Sequence, residues 1–203
     1  MKSSKTYLVF VNESPHSDAA FNLVNRMKRD EDTVIVAHIP TIDNMSNMSL
    51  LTVGSVAFDA IETPFGKTDK IVGGAGTYIS LASSFFMEKQ KIISVVGSDF
   101  PSGVLGDMNS RGIDTDGLQI KEGEKTFFWS GKYHNDMNSR DTLATELNVL
   151  EHFDPIVPDS YQDSSYIMLG NLSPLVQSTV IERMKKRPKL IAMDTMNFWM
   201  DIA

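Results

Sequence analysis

Hydrophobic residues in the first forty positions form two short runs of strand length, with a helix-like pattern between them. The runs are Tyr7 to Val11 and Thr33 to His38. Between them, Ser14 can cap a helix that has Pro15 at its first position. Apolar residues then recur with helical spacing at Ala20, Leu23, Val24 and Met27. This order predicts a right-handed βαβ unit with two parallel strands.

A polar segment from Pro40 to Ser49 follows this unit and has the composition of a linker. A new hydrophobic run begins at Leu50, directly after the segment. The sequence therefore predicts two parts, which are a βαβ extension over residues 1–47 and a larger α/β domain over residues 48–203.

The larger part alternates between strand-like and helix-like patterns. Strands are predicted at Lys91 to Val96, Tyr166 to Leu169 and Leu190 to Met193. Helices are predicted from Pro101 to Arg111, ended by Gly112, and from Ser173-Pro174 onward. The segment from Tyr78 to Gln90 is apolar on nearly every face, which predicts a helix buried on several sides. The pattern is typical of an α/β fold with a parallel sheet and helices on its faces.

Two alternating segments between these elements indicate a small exposed sheet. Lys125 to Tyr133 and Thr142 to Leu150 alternate apolar and polar residues, and the polar turn His134 to Asp141 separates them. We therefore expect a small antiparallel flap beside the parallel sheet. Three aromatic residues of the flap, from Phe127 to Trp129, could face a ligand or a partner, or could cover the local core.

Composition and charge exclude several classes of protein. The chain has 203 residues, a net charge of −7 and no cysteine, so it carries no disulfide and no Cys-ligated zinc. An acidic chain lacks the positive footprint of a nucleic-acid-binding protein. No apolar run approaches the roughly 20 residues that span a bilayer. We expect a cytoplasmic protein that binds neither nucleic acid nor membrane.

Three strand-to-helix turns carry the candidate chemistry. Asp59 follows the end of a strand, where ligands of open α/β sheets bind, and its carboxylate can accept hydrogen bonds from hydroxyl groups. Gly73-Gly74 precedes a helix and lets the backbone approach a ligand closely. Gly97-Ser98-Asp99 is a third turn of this kind. Each turn taken singly is also compatible with a purely structural role.

Taken together, these motifs resemble the ribokinase-like (PfkB) carbohydrate and nucleoside kinases from about residue 50 onward. The matching segments, in the family's order, are Gly54-Ser55 with Asp59, Gly73-Gly74, Val95 to Asp99, Arg111 to Thr115, and Met193 to Asn197. Two positions depart from the family. Tyr78 stands where most members have an asparagine that contacts the substrate, and Met87 stands where a small residue is usual.

The resemblance implies a ribokinase-like fold with a β lid over the substrate, and phosphorylation of a sugar or nucleoside hydroxyl with ATP and Mg²⁺. It also implies dimerisation through the lid. The residues expected to bind the substrate are Asp59, Gly73, Gly74, Thr77, Phe128 and Asn171.

The resemblance also implies a catalytic base and an ATP-binding part in addition to this substrate site. The family's catalytic base is an aspartate in a G-A-G-D segment, and the sequence contains no such segment. We therefore expect the base beyond Ala203, a C-terminally truncated domain that does not fully bind ATP and Mg²⁺, and a chain that is inactive alone.

Residues 1–47 resemble the opening of universal stress proteins, which are α/β nucleotide-binding domains. The matching segment is Val11 to Ser17, where Asn12 or Glu13 replaces the usual aspartate. His16 and His38 have no partners at metal-ligand spacing, so no metal site is expected. Two alternatives stay open beside the kinase, which are a non-enzymatic binding or oligomerisation module and a stress-protein-like nucleotide binder.

Overall fold

The computed structural model describes residues 6–11, 33–38 and 48–196. The chain divides into two compact units, residues 1–45 and 46–203. In the first unit, β1 (Thr6–Val11) and β2 (Thr33–His38) pair in parallel, which confirms the predicted strand pair. The predicted helix between them, His16 and the stress-protein segment from Asn12 lie outside the described residues, as does Asn197.

The second unit contains ten further strands and three α-helices among the described residues. The strands are β3 (Ser49–Val53), β4 (Ala57–Thr63), β5 (Gly66–Lys67), β6 (Ile71–Gly73), β7 (Lys89–Gly97), β8 (Ile113–Lys121), β9 (Phe128–Tyr133), β10 (Arg140–Glu146), β11 (Tyr166–Leu169) and β12 (Leu190–Met193). The helices are α1 (Ala75–Ser83), α2 (Ser102–Ser110) and α3 (Pro174–Glu182).

A parallel five-stranded sheet forms the centre of this unit, in the order β12-β11-β3-β7-β8. The strand predictions at β7, β11 and β12 are confirmed, while β8 was missed. One core cluster includes Val53, Phe153 and Leu169 and packs α3 and the segment before β11 against the sheet. The other includes Ile92, Phe100 and Met108 and packs α2 against the sheet. The α/β prediction is therefore confirmed.

A second sheet forms the lid, in the order β10-β9-β4-β5, with β6 also paired to β4. The hairpin of β9 and β10 is antiparallel, as the alternating pattern predicts. The prediction for residues 53–59 was only partly right. We expected one strand that ends before Asp59, but β3 ends at Val53 and Asp59 belongs to the lid strand β4. The lid therefore begins earlier in the chain than the sequence pattern indicates.

The prediction of a long, buried helix from Tyr78 to Gln90 was wrong. Helix α1 ends at Ser83, and the residues of α1 that are buried are small, namely Gly76, Thr77 and Ser80. The aromatic residues of this segment are exposed instead, at 55% for Tyr78, 75% for Phe85 and 66% for Phe86. Their apolar surface therefore covers neither core cluster. No helix among residues 48–196 is long and apolar enough to cross a bilayer.

Two buried hydroxyl groups, those of Thr52 and Ser80, have no hydrogen-bond partner within the described part of the chain. Thr52 alternates with Leu51 and Val53, which belong to the core on the other face of the sheet. An unpaired buried hydroxyl costs about 1–3 kcal/mol. The hydroxyl of Thr126 is equally buried but paired, since it accepts from the N–H of Gly97 and donates to Asp99.

We expect Thr52→Val to raise the free energy of unfolding by about 1 kcal/mol, because valine keeps the shape and removes the unpaired hydroxyl. The matched variant Thr126→Val should lower it by about 1–3 kcal/mol, because it leaves the buried N–H of Gly97 without its acceptor and removes one hydrogen bond to Asp99. Urea unfolding of both variants measures the difference. A loss of stability in Thr52→Val would contradict the prediction and indicate a partner for this hydroxyl.

Candidate functional site

The centre of the candidate site is the carboxylate of Asp59, which lies against Gly73. Asp59 is the third residue of β4, and β6 pairs antiparallel with β4 so that Gly73 lies diagonally across from it on the same face. A β-carbon built on Gly73 would lie 2.0 Å from Oδ2 of Asp59. Any side chain at position 73 would therefore displace the carboxylate. The structure thus brings together the two features that the sequence analysis placed at the centre of the site.

Burial raises the pKa of the Asp59 carboxyl above its ordinary value, and a hydrogen bond from the backbone N–H of Gly74 offsets part of that effect. The side chain is half-buried, so it keeps an accessible surface. A carboxylate that is partly desolvated and held by one backbone donor is suited to accept hydrogen bonds from ligand hydroxyls, which restore the solvation that it has lost.

Three of the N–H groups at the start of α1 already have partners. Gly74 adopts φ 95°, and its N–H reaches Asp59. The next two N–H groups donate to Ser55, that of Ala75 to the side-chain Oγ at 3.1 Å and that of Gly76 to the carbonyl oxygen at 2.8 Å. These three N–H groups are therefore not available to a ligand. The glycine-rich turn positions Asp59 and packs the loop after β3.

Thr77 lies in the first turn of α1 and its side chain is buried against Gly73. Its side chain is 2% exposed, and its hydroxyl donates to the carbonyl of Gly73 at 2.8 Å. The threonine holds Gly73 in place from the helix side. Direct contact between Thr77 and a substrate, which the resemblance implies, has no support in this geometry, and a positioning role fits the contacts better.

Phe128 and Trp129 are neighbours on β9, so their side chains point to opposite faces of the lid. Phe128 pairs with Phe58 of β4, and both belong to or pack against the core that includes Phe100. Trp129 pairs with Asp59 and therefore shares its face. The geometry favours the core role for Phe128 and makes Trp129 the lid aromatic beside the carboxylate. If the parallel pairing of β4 with β9 had been known, the register from Asp59 would have identified Trp129.

The indole of Trp129 is held by its surroundings. It lies over Gly131, where an added β-carbon would come within 2.1 Å of Cη2. The guanidinium of Arg140 lies over the ring at 5.7 Å from its centroid, within the range of a cation–π contact. Glycine at position 131 allows the ring to lie along the strand, so the lid presents a fixed aromatic surface on the face that carries Asp59.

Asn171 follows β11 at the carboxyl edge of the central sheet. The preceding Gly170 donates its N–H to the carbonyl of Val53 at the end of β3. The amide of Gln177, which is 3% exposed, donates to the carbonyls of Gly170 at 2.9 Å and Asp194 at 3.1 Å. These contacts hold the ends of β11 and β12 together. Asn171 is half-buried at this edge, and its role in substrate binding stays a prediction.

The turn after β7 fixes the start of the lid strand β9. Asp99 accepts from both the N–H and the hydroxyl of Thr126, at 2.8 and 2.7 Å, and pairs with Lys70 at 3.1 Å. Burial raises the pKa of Asp99, but these hydrogen bonds and the lysine charge outweigh it and hold the pKa below its ordinary value. The Gly97-Ser98-Asp99 motif therefore has a structural role, which is to connect the sheet to the lid.

Comparisons with known proteins agree with this architecture. No family model matches the chain. A cytidine kinase of Thermococcus kodakarensis is 27% identical over 139 residues, which cover 68% of this chain and 49% of that protein. A ribokinase of Cryptococcus neoformans, solved with ADP, has a TM-score of 0.59 at 19% identity and covers 74% of this chain. A nucleoside kinase of Methanocaldococcus jannaschii, described as a ribokinase family member, has a TM-score of 0.57 at 18% identity and covers 72% of this chain.

The chain spans about half the length of these relatives, at 49%, 50% and 52%. The resemblance of residues 1–47 to universal stress proteins finds no support among them and stays a prediction. The motif order, the parallel sheet with its lid, and the similarity to the cytidine kinase all point to one family. The resemblance to the ribokinase-like (PfkB) sugar and nucleoside kinases is thus confirmed, and the larger unit of this chain has their fold.

Proposed function

We propose that the larger unit is the substrate-binding part of a kinase that transfers a phosphoryl group from ATP to a hydroxyl of a sugar or nucleoside. The observation that supports this most strongly is the carboxylate of Asp59. It lies against a residue that cannot carry a side chain and faces the same side of the lid as Trp129. A hydroxyl-rich ligand fits such a site, because it offers donors to the carboxylate and carbon–hydrogen surface to the indole.

In this proposal Asp59 binds and orients the substrate and does not act as the base. It must be ionised to accept hydrogen bonds from two hydroxyl groups, and the Gly74 N–H favours that form. Catalysis of phosphoryl transfer depends largely on positioning the reactants, so the main contribution of a substrate site is to hold the ligand in one orientation. Gly73 and Thr77 contribute by fixing the carboxylate and the turn.

ATP is the expected phosphoryl donor, and a ribokinase of this fold has been solved with ADP. Mg²⁺ would supply charge neutralisation on the phosphates when it is bound. Among the described residues, no three acidic or histidine side chains cluster so as to hold a metal ion, and we assign none to Mg²⁺. Because the sequence contains no G-A-G-D segment, we expect this chain alone to bind the substrate without turnover. Dimerisation through the lid remains a further prediction.

Titration calorimetry with ribose and with cytidine, followed by a coupled assay for ADP release with Mg-ATP, tests this function. We expect weak, saturable binding of at least one of the two compounds and no phosphorylated product. Failure of both compounds to bind at tens of millimolar would contradict the proposed site. ADP release that depends on ribose or cytidine would contradict only the expected inactivity.

The neighbouring aromatics of β9 give a matched pair of variants. Trp129→Ala should weaken ribose or cytidine binding by roughly 2- to 10-fold, since an aromatic contact contributes about 0.5–1.5 kcal/mol, and should leave stability nearly unchanged. Phe128→Ala should instead lower the free energy of unfolding by about 2–4 kcal/mol, since its ring packs against the core. Calorimetry and thermal unfolding of both variants check the pair, and the reverse pattern would contradict the assignment of faces.

A further inference from the structure

A surface groove of about 400 Å³ runs between α1 and α2, and we refer to it as the α1–α2 groove. Its apolar lining includes Tyr78, Leu81, Phe85 and Val104, and two charged residues also line it, Asp107 of α2 and Arg111 directly after α2. The floor is continuous with the core, because Leu81 and Val104 pack against the cluster that contains Met108. Asp59, Gly73 and Trp129 do not line this groove, whereas the positioning residue Thr77 does, so the groove borders the proposed substrate site without including the carboxylate or the indole.

The groove is bordered by an unusual amount of exposed aromatic surface. Tyr78, Phe85 and Phe86 are 55%, 75% and 66% exposed, respectively. Three rings with these exposures present roughly 400 Å² of apolar surface. A patch of this size is comparable to the largest apolar patch of a typical monomer, which is often a functional surface.

The charges on the rim indicate what covers this surface. Asp107 lies in the last turn of α2, Arg111 directly follows that helix about one turn further along, and both are exposed. Neither makes an ion pair within the described part of the chain. A rim with one unpaired acid and one unpaired base, one turn apart, is self-complementary. A twofold axis that brings two copies of α2 together antiparallel places Asp107 of each copy beside Arg111 of the other.

We propose that the α1–α2 groove is an interface at which a second copy of this chain binds, with the aromatic rings at the centre and two reciprocal Asp107–Arg111 pairs at the rim. Apolar surface at the centre supplies the affinity, and the charge pairs fix the twofold orientation. This inference does not rest on the proposed kinase function, since none of the substrate-binding residues supplies the rings or the charges.

Charge reversal on the full chain tests the interface. Sedimentation equilibrium of the wild type at 5–200 μM should show a monomer–dimer equilibrium. Asp107→Arg alone and Arg111→Asp alone should each weaken the dimer at least tenfold, because each places like charges in both rim pairs. An equimolar mixture of the two single variants should form a heterodimer, because every rim contact then joins opposite charges.

Two controls separate this interface from other contacts. Asp116→Arg makes the same charge change on an exposed residue of β8 outside the groove and should leave the dimer unchanged. Trp129→Ala, in the lid, should also leave it unchanged. A wild type that stays monomeric at 200 μM would overturn the proposal. So would an association that survives both single reversals, since it would run through another surface such as the lid.

Discussion

Asp59→Asn is expected to weaken binding of ribose or cytidine by roughly 10- to 100-fold while keeping the fold. The carboxylate is the only charged acceptor that we assign to the substrate, and a charge-assisted hydrogen bond contributes about 1.5–3 kcal/mol. Asparagine has nearly the same shape and can still accept from the Gly74 N–H with its side-chain oxygen. Titration calorimetry of the variant against the wild type measures the change.

Thermal unfolding of the same variant separates loss of binding from loss of structure. Burial raises the folded-state pKa of Asp59 above its unfolded value. The protonated carboxyl therefore favours the folded state at a pH below the unfolded pKa, and this stabilisation is lost as the pH rises through the folded pKa. At neutral pH the ionised carboxylate therefore opposes folding. We expect Asp59→Asn to melt at the wild-type temperature or above it. A variant that melts well below the wild type would show that Asp59 supports the fold instead of a ligand.

Gly73→Ala is expected to abolish detectable binding at only a small cost in stability. The added methyl group would lie 2.0 Å from Oδ2 of Asp59, and that oxygen is the mobile end of a side chain, so the carboxylate moves and the backbone does not. Gly66→Ala is the matched control, because nothing lies within 4 Å of a β-carbon at position 66. Calorimetry with the ligand that the wild type binds should show loss of binding for the first variant and full binding for the second.

A substitution at the next residue should instead destabilise the fold. Gly74→Ala would place its methyl group 2.3 Å from the carbonyl oxygen of Ser55 and keep a φ of 95°, so both a backbone contact and the conformation are unfavourable. We expect thermal unfolding to show a marked loss of stability for this variant alone. If Gly73→Ala unfolds and Gly74→Ala does not, the assigned geometry of the turn is wrong.

Sequence patterns were informative wherever one physical cause dominates. The strands β11 and β12 were predicted to the residue, because short apolar runs buried in a parallel sheet leave few alternatives. Helices α2 and α3 were found from Gly112 and from Ser173-Pro174, whose terminal roles are local. The proximity of Asp59 and Gly73 was inferred from the order of the family motifs, because the pairing of β4 with β6 cannot be read from a single sequence.

The errors occurred where tertiary context decides. The run from Tyr78 to Phe86 is apolar, and apolar residues are normally buried, yet the interior positions of α1 are filled by small residues and the aromatics lie outside. Phe128 was the lid aromatic expected to bind the substrate, and only the pairing of β9 with β4 shows that Trp129 shares the face of Asp59. For Asp99 the sequence left a structural role open, and its contacts with Thr126 and Lys70 support that role.

The central claim is that Asp59, the turn at Gly73-Gly74 and the indole of Trp129 form one binding surface. Titrating the ¹⁵N-labelled full chain with ribose and then cytidine, followed by heteronuclear NMR, tests it most directly. One of the two compounds should shift the amides of Gly73 and Gly74 and the indole N–H of Trp129 along a single saturable curve, and the Asp59→Asn chain should lose those shifts. Saturable shifts confined to other residues, or unchanged shifts in the variant, would contradict the account.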